Sequence, residues 1–255
     1  MQSSWRGLLW WVNRARNVLS GVVRVKAFVV PCRDKSTSGG HPMLRPMAPG
    51  PTVNVLHVDD AMIVADKPAG MLAVPGRGEA GRDNLAARVQ ALFADALVVH
   101  RLDMSTSGLM LFARGTAVQR RLCRAFADGE VAKQYVAVVE GRLLDDHGVI
   151  DTPLAADWPN RPRQVVDHER GKASLTHWRV LERGEDSTRL LLQPVTGRTH
   201  QLRVHLQWIG HPIRGDALYA PAPLRAERLL LHATRLSLTH PQTGAACQFA
   251  SAPAF

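Results

Sequence analysis

Residues 98–114 read Val-Val-His-Arg-Leu-Asp-Met-Ser-Thr-Ser-Gly-Leu-Met-Leu-Phe-Ala-Arg. Two apolar runs, Val98-Val99 and Leu109 to Ala113, predict strands. The polar turn between them presents one carboxylate, Asp103, directly after the basic pair His100-Arg101. A loop aspartate held by two strands is well placed for chemistry, because the strands fix it while the loop exposes it. Spacing alone does not make it a catalyst, since most loop aspartates close turns or meet water.

Outward from this stretch the pattern is that of an α+β fold. Val53 to Val58 and Met62 to Ala65 predict a hairpin turning at Asp59-Asp60. Asp83 is the expected cap of a helix with apolar face Leu85, Val89, Leu92 and Phe93. Thr116 is the expected cap of a second helix, stopped by Gly129. Lys133 to Glu140 alternates around Tyr135, Ala137 and Val139, as a half-buried strand does. Ser174 to Leu181, Leu190 to Val195 and Leu236 to Leu238 predict further strands, and Thr199 the cap of a helix running to Gly210. Hairpin-like strands with interspersed helices predict a mixed, largely antiparallel sheet with flanking helices.

The 255 residues suffice for a real core. The three cysteines, Cys32, Cys123 and Cys247, lie far apart with no CxxC pair. That argues against a zinc site, a redox motif or a disulfide framework, and fits a reducing, cytoplasmic setting. No run is long and charge-free enough to span a membrane, and a monomer is the default expectation. The formal charge of +10 points to a polyanionic partner, but it is unevenly placed. Residues 1–50 hold eight basic residues and one acid, Asp34, so the body carries only a small excess. Residues 1–52 are expected to be a basic leader and Pro/Gly/Ser-rich linker outside the folded body, which spans 53–255. The leader reads as a targeting presequence, as a membrane- or RNA-binding arm, or, the favoured reading, as sequence upstream of a native start at Met43 or Met47.

Four segments in order resemble the RluA-type pseudouridine synthases. They are Lys67-Pro68-Ala69-Gly70 with Val74-Pro75-Gly76; His100 to Asp103 with Thr106 to Gly108; Lys133 to Ala137; and Gly197 to His205, continuing through Gly210 to Ile213 and Gly215-Asp216. The resemblance covers roughly residues 53–255, and the joint match is specific where each motif alone is not. Asp157 to Pro162 further resembles the dual-specificity members, which act on 23S rRNA and tRNA.

The resemblance implies a central RNA-binding cleft and isomerisation of uridine to its C-glycoside, without cofactor or metal. It makes Asp103 the catalytic residue, Tyr135 the wall against the target base, and Arg203 the partner that keeps Asp103 ionised. By spacing alone Tyr135 reads as core and Arg203 as a surface arginine. The expected RNA contacts are Arg101, Lys67, Lys133, Arg198 and the cluster Trp158, Arg161 and Arg163. An aromatic among arginines is how single-stranded RNA is gripped, though it is also an ordinary solvated loop. Lys67 reads equally well as part of a tight turn. His200 and His205 read as structural or RNA-facing histidines, not metal ligands. Whether Asp103 attacks sugar or base, or removes a C2′ proton, stays open. The alternatives are a non-catalytic RNA-binding or ribosome-assembly protein on the same fold, and a glycosidase, which needs a second carboxylate beside Asp103.

Overall fold

The expected first hairpin forms: β1 (Asn54–Val58) pairs antiparallel with β2 (Met62–Lys67). Asp59 closes it, its Oδ1 accepting from the N–H groups of Ala61 and Met62, each at 2.8 Å. The structure, a computed structural model, describes residues 52–222 and 225–255. The expectations for the leader fall on residues outside those described, apart from Thr52.

The chain continues through α1 (Leu85–Leu92), β3 (Ala96–Val98), β4 (Ser107–Arg114), α2 (Thr116–Ala127) and β5 (Ala132–Glu140). Next come β6 (His147–Asp151), β7 (Leu154–Ala156), β8 (Gln164–Val166), β9 (Leu175–Arg183) and β10 (Ser187–Pro194). It ends with α3 (Gln201–Trp208), β11 (Leu231–Thr239) and β12 (Ala246–Ala250). The main sheet runs β1-β2-β4-β11-β5-β10-β9-β6, with β3 on β4 and β12 on β11; β7 and β8 form a separate ladder. Among the named strands of the described residues β4 and β11 make the one parallel pair, through Ser107–His232 and Gly108–Ala233. The fold is therefore α+β with a mixed, mostly antiparallel sheet, as expected.

Strands β2 and β4 are buried on both faces, and their period of two divides the core. Met62, Val64, Leu109, Leu111 and Ala113 pack with Val118 and Leu122 of α2. Ile63, Ala65, Met110 and Phe112 pack with Leu85 and Val89 of α1. A third cluster joins Ala137, Val139, Leu190 and Leu192 to Leu202 and Leu206 of α3. Each helix is thus tied to the sheet by its apolar stripe.

All three helix starts differ from expectation. Asn84, not Asp83, caps α1, accepting from the Ala87 N–H at 2.9 Å. Its amide also donates to the carbonyls of Gly81 and Arg82, which a carboxylate cannot do. Asp83 instead pairs with Arg88 at 2.6 Å. Thr116 is the first residue of α2 rather than its cap, which is Gly115. Before α3 the cap position belongs to His200, not Thr199.

The parallel pairing of β4 with β11 depends on Gly108. Its φ is +113°, and a Cβ there would lie 2.4 Å from the carbonyl oxygen of Ala233. Only glycine lets β11 come so close. Ala233 in turn pairs with Tyr135 of β5, so this one contact brings the loop entering β4 next to Tyr135.

Candidate active site

Asp103 sits on the loop between β3 and β4. The loop is closed by the Thr106 N–H donating to the Asp103 carbonyl at 3.1 Å. It is also tied down from outside. The Met104 carbonyl accepts from the Gly70 N–H at 2.9 Å and from Lys67 Nζ at 3.0 Å. Lys67 Nζ also donates to the carbonyls of Pro68 and Met71 at 2.9 and 2.7 Å. Lys67 is 0% exposed, so it cannot touch RNA as expected; its turn role is the one the geometry supports. Burial pushes its pKa down to about 8, with Asp103 opposing. Three carbonyl acceptors match the three donors of the charged amine.

His100 is not a basic group here. Its Nε2 accepts the Leu111 N–H at 2.9 Å, and the ring stacks on Phe126 at 4.4 Å. Burial, with help from the Lys133 charge, pushes its pKa down to about 3. The imidazole stays neutral and completes a backbone ladder.

Asp103, Tyr135 and Arg203, from three distant segments, line one cavity of about 110 Å³. Arg203 is buried on α3, and its fork is turned to Asp216: Nε and Nη2 donate to the two carboxylate oxygens at 2.8 and 2.7 Å. The remaining Nη1 reaches Asp103 Oδ2 at 3.4 Å. The expected Arg203–Asp103 pairing is therefore present, but as the longer arm of a bridge. Burial and the Asp103 charge both push the Tyr135 phenol above its ordinary pKa, so it stays neutral. His200 Nε2 lies 3.8 Å from Asp103 Oδ2.

Arg101, Lys133 and Arg198 line the same cavity. Trp158, Arg161 and Arg163 lie apart from it, on the loop joining β7 to β8. Trp158 is 69% exposed, and the Arg161 guanidinium sits 3.3 Å from the centre of its ring. A wider hollow of about 540 Å³ opens along β6 and β9, but Arg183 there is already paired with Asp146.

The glycosidase reading needs a second carboxylate facing the cavity. Asp216 shares Arg203 with Asp103, yet it is 0% exposed and accepts from Arg203 and from the N–H groups of Leu218 and Tyr219. It is a support, not a second acid. Its role was not legible in the sequence, although Gly215-Asp216 belongs to the quoted pattern. Tyr219 carried no sequence signal at all.

An aspartate on a pinned loop, flanked by a buried arginine and a tyrosine in a cleft across a mixed sheet, is the arrangement of a pseudouridine synthase. Comparison with known proteins agrees. A family model described as RNA pseudouridylate synthase matches residues 61–208. The dual-specificity RNA pseudouridine synthase RluA of Yersinia pestis is 48% identical over 198 residues, covering 76% of this chain and 96% of that protein. The protein of the same name from Escherichia coli K12 is 47% identical over 207 residues, covering 80% and 94%. The solved human RNA Pseudouridylate Synthase Domain Containing 1 superposes with a TM-score of 0.67 at 27% identity, covering 81% of this chain and 86% of that one. This chain belongs to the RluA family of pseudouridine synthases and is an isomerase acting on uridine in RNA. The non-catalytic alternative falls with that assignment.

Proposed function

We propose that Asp103 is the catalytic residue and that the substrates are a 23S rRNA hairpin and a tRNA anticodon stem-loop. The observation that carries the first part is the convergence of Asp103, Arg203 and Tyr135 on one cavity. The second part rests on the dual-specificity relatives and on the Trp158 to Arg161 segment. The N1–C1′ bond breaks, the uracil turns while held, and C5 bonds to C1′; the C5 proton is lost and N1 regains one. No group is gained or lost, so a carboxylate suffices as nucleophile or base and as a stabiliser of positive charge at C1′. Arg203 sets a positive charge 3.4 Å from Asp103, and Tyr135 lies against the base. The uridine flips out of its stack to enter the cavity, and Arg101 fills the space it leaves. Lys133 and Arg198 at the rim meet phosphates, while Trp158, Arg161 and Arg163 grip a neighbouring unpaired segment. The protein works as a monomer in the cytoplasm.

The test has two arms. Asp103→Asn removes charge but little volume, so it should fold, bind RNA and lose turnover. Pseudouridine-specific chemical mapping of total RNA, with and without the gene, should lose one signal in 23S rRNA and one in a tRNA anticodon arm. Near-wild-type turnover by the variant would overturn the assignment of Asp103. Loss of only one signal would overturn dual specificity.

A further inference from the structure

His200 is the one non-glycine residue with positive φ among those described, at 54°. A left-handed backbone at a residue with a Cβ is strained and persists only where its surroundings enforce it. The ring shows what the conformation achieves. Nδ1 lies 2.8 Å from the Tyr219 hydroxyl, while Nε2 faces Asp103 Oδ2 at 3.8 Å. The Tyr219 hydroxyl already accepts the Gln164 N–H at 2.8 Å, leaving its own proton for Nδ1. In the tautomer where Tyr219 donates to Nδ1, Nε2 carries the ring hydrogen and faces the Asp103 carboxylate. Burial lowers the pKa of His200, with Asp103 opposing, which suits a neutral donor.

Tyr219 is also where the β7–β8 hairpin meets the active site. Gln164 opens β8, and the Arg163 guanidinium lies 5.4 Å from the centre of the Tyr219 ring. The Arg203 guanidinium lies 5.1 Å from that ring centre. Leu154 of β7, Val204 of α3 and Tyr219 share one small buried cluster. Contacts therefore run unbroken from the hairpin to the Tyr219 hydroxyl and on to His200. The 3.8 Å gap to Asp103 lies just outside hydrogen-bond reach, so a small inward shift closes it.

We propose that His200 is a positioning residue for Asp103, and that the Gln164–Tyr219–His200 chain makes the alignment of Asp103 depend on how the β7–β8 hairpin is seated on RNA. This rests on the reading of Asp103 as catalyst and of the hairpin as an RNA contact.

Tyr219→Phe keeps the ring and removes the hydroxyl. His200→Asn keeps a residue that tolerates left-handed backbone but is too short to reach Asp103. Single-turnover rates at saturating RNA, RNA Kd and Tm are measured for both. The expected result is a fall in the rate of the folded enzyme of about ten-fold or more, with Kd changed less than about two-fold; the lost hydroxyl of Tyr219→Phe also lowers Tm modestly. A merely structural role would lower Tm and leave the rate of the folded enzyme intact. Trp158→Ala then tests the coupling. At saturating RNA it should slow the wild type several-fold but have little further effect on the rate in the Tyr219→Phe background. Rates within about two-fold of wild type in both single variants would overturn the positioning role. An equal Trp158→Ala factor in the two backgrounds would overturn the coupling. Turnover retained by Asp103→Asn would instead sink the underlying reading.

Discussion

Arg203 grips Asp216 with its fork, through Nε at 2.8 Å and Nη2 at 2.7 Å. A bidentate pair fixes the plane of a guanidinium as well as its place. The third nitrogen, Nη1, is thereby aimed at Asp103 rather than free to choose. Asp216 is itself held by the N–H groups of Leu218 and Tyr219. The orientation of the charge beside Asp103 is thus set by a segment that never lines the cavity.

Asp216→Asn should break this arrangement. The amide keeps the volume but loses the charge, and its NH2 would face the donors of Arg203. A buried cation left without its partner costs roughly 3–5 kcal/mol. Urea denaturation should show a loss of that order, and the folded fraction should turn over at least about ten-fold more slowly. A variant as stable as the wild type would mean that Asp103 alone can hold Arg203.

Gly108→Ala tests the close approach of β11 to β4. The new methyl would meet the Ala233 carbonyl at 2.4 Å, on a backbone with φ +113°. Neither backbone can give way without breaking the parallel pairing, so we expect a loss of about 3 kcal/mol or more. Gly244→Ala is the control: its φ is +73°, but nothing lies within 4 Å of the added carbon. It should cost only about 1–2 kcal/mol, the left-handed strain itself. Equal losses in thermal melts of the two variants would refute the steric account.

The sequence carried β2, β4 and β5 plainly, because strands in the centre of a sheet are continuous or alternating apolar runs. It did not carry β6, where only Ile150 of His147–Asp151 is buried and no period is legible. It did not carry β7, β8 or β12 either, which are short or exposed and held by their partners rather than by their own pattern. Asp103, Tyr135 and Arg203 were legible through motif resemblance. Lys67 reads two ways in the sequence, as turn or as RNA contact, because a lysine is seldom wholly buried; only the fold shows three carbonyls converging on its amine. Tyr219 acts through contacts made far along the chain, to Gln164 and His200, and Asp216 through the fold of α3 back toward it, neither of which a local spacing reveals.

The Trp158–Arg161 stack predicts two separable contributions to RNA binding. Base stacking on an aromatic is worth about 1–3 kcal/mol and carries no charge. A phosphate contact instead adds about one to the slope of binding against salt. Trp158→Ala should therefore weaken binding at every salt concentration by a similar factor. Arg161→Ala should flatten the slope by about one. Filter binding of a tRNA anticodon stem-loop over a salt series checks both. A flattened slope for Trp158→Ala would mean that the indole acts by holding Arg161 rather than by touching RNA.

Lys67 should give stability a pH dependence of definite sign. Its pKa is about 8 in the fold, against the ordinary lysine value of 10.5 that the unfolded chain recovers. Below pH 8 both states hold the proton, and the folded state carries the whole penalty of burying the charge. Between 8 and 10.5 the unfolded chain binds more protons than the folded one, so stability rises with pH from this residue alone. Lys67→Met removes the titration and leaves the Pro68 and Met71 carbonyls without this donor. It should be less stable than wild type at pH 7 by about 2 kcal/mol. The gap should widen between pH 8 and pH 10, by at most about 1.4 kcal/mol per pH unit. Urea denaturation of both proteins at pH 7, 9 and 10 measures it. A gap that narrows over this span would show that the three carbonyls hold the ammonium more tightly than water does, with the folded pKa above the unfolded one.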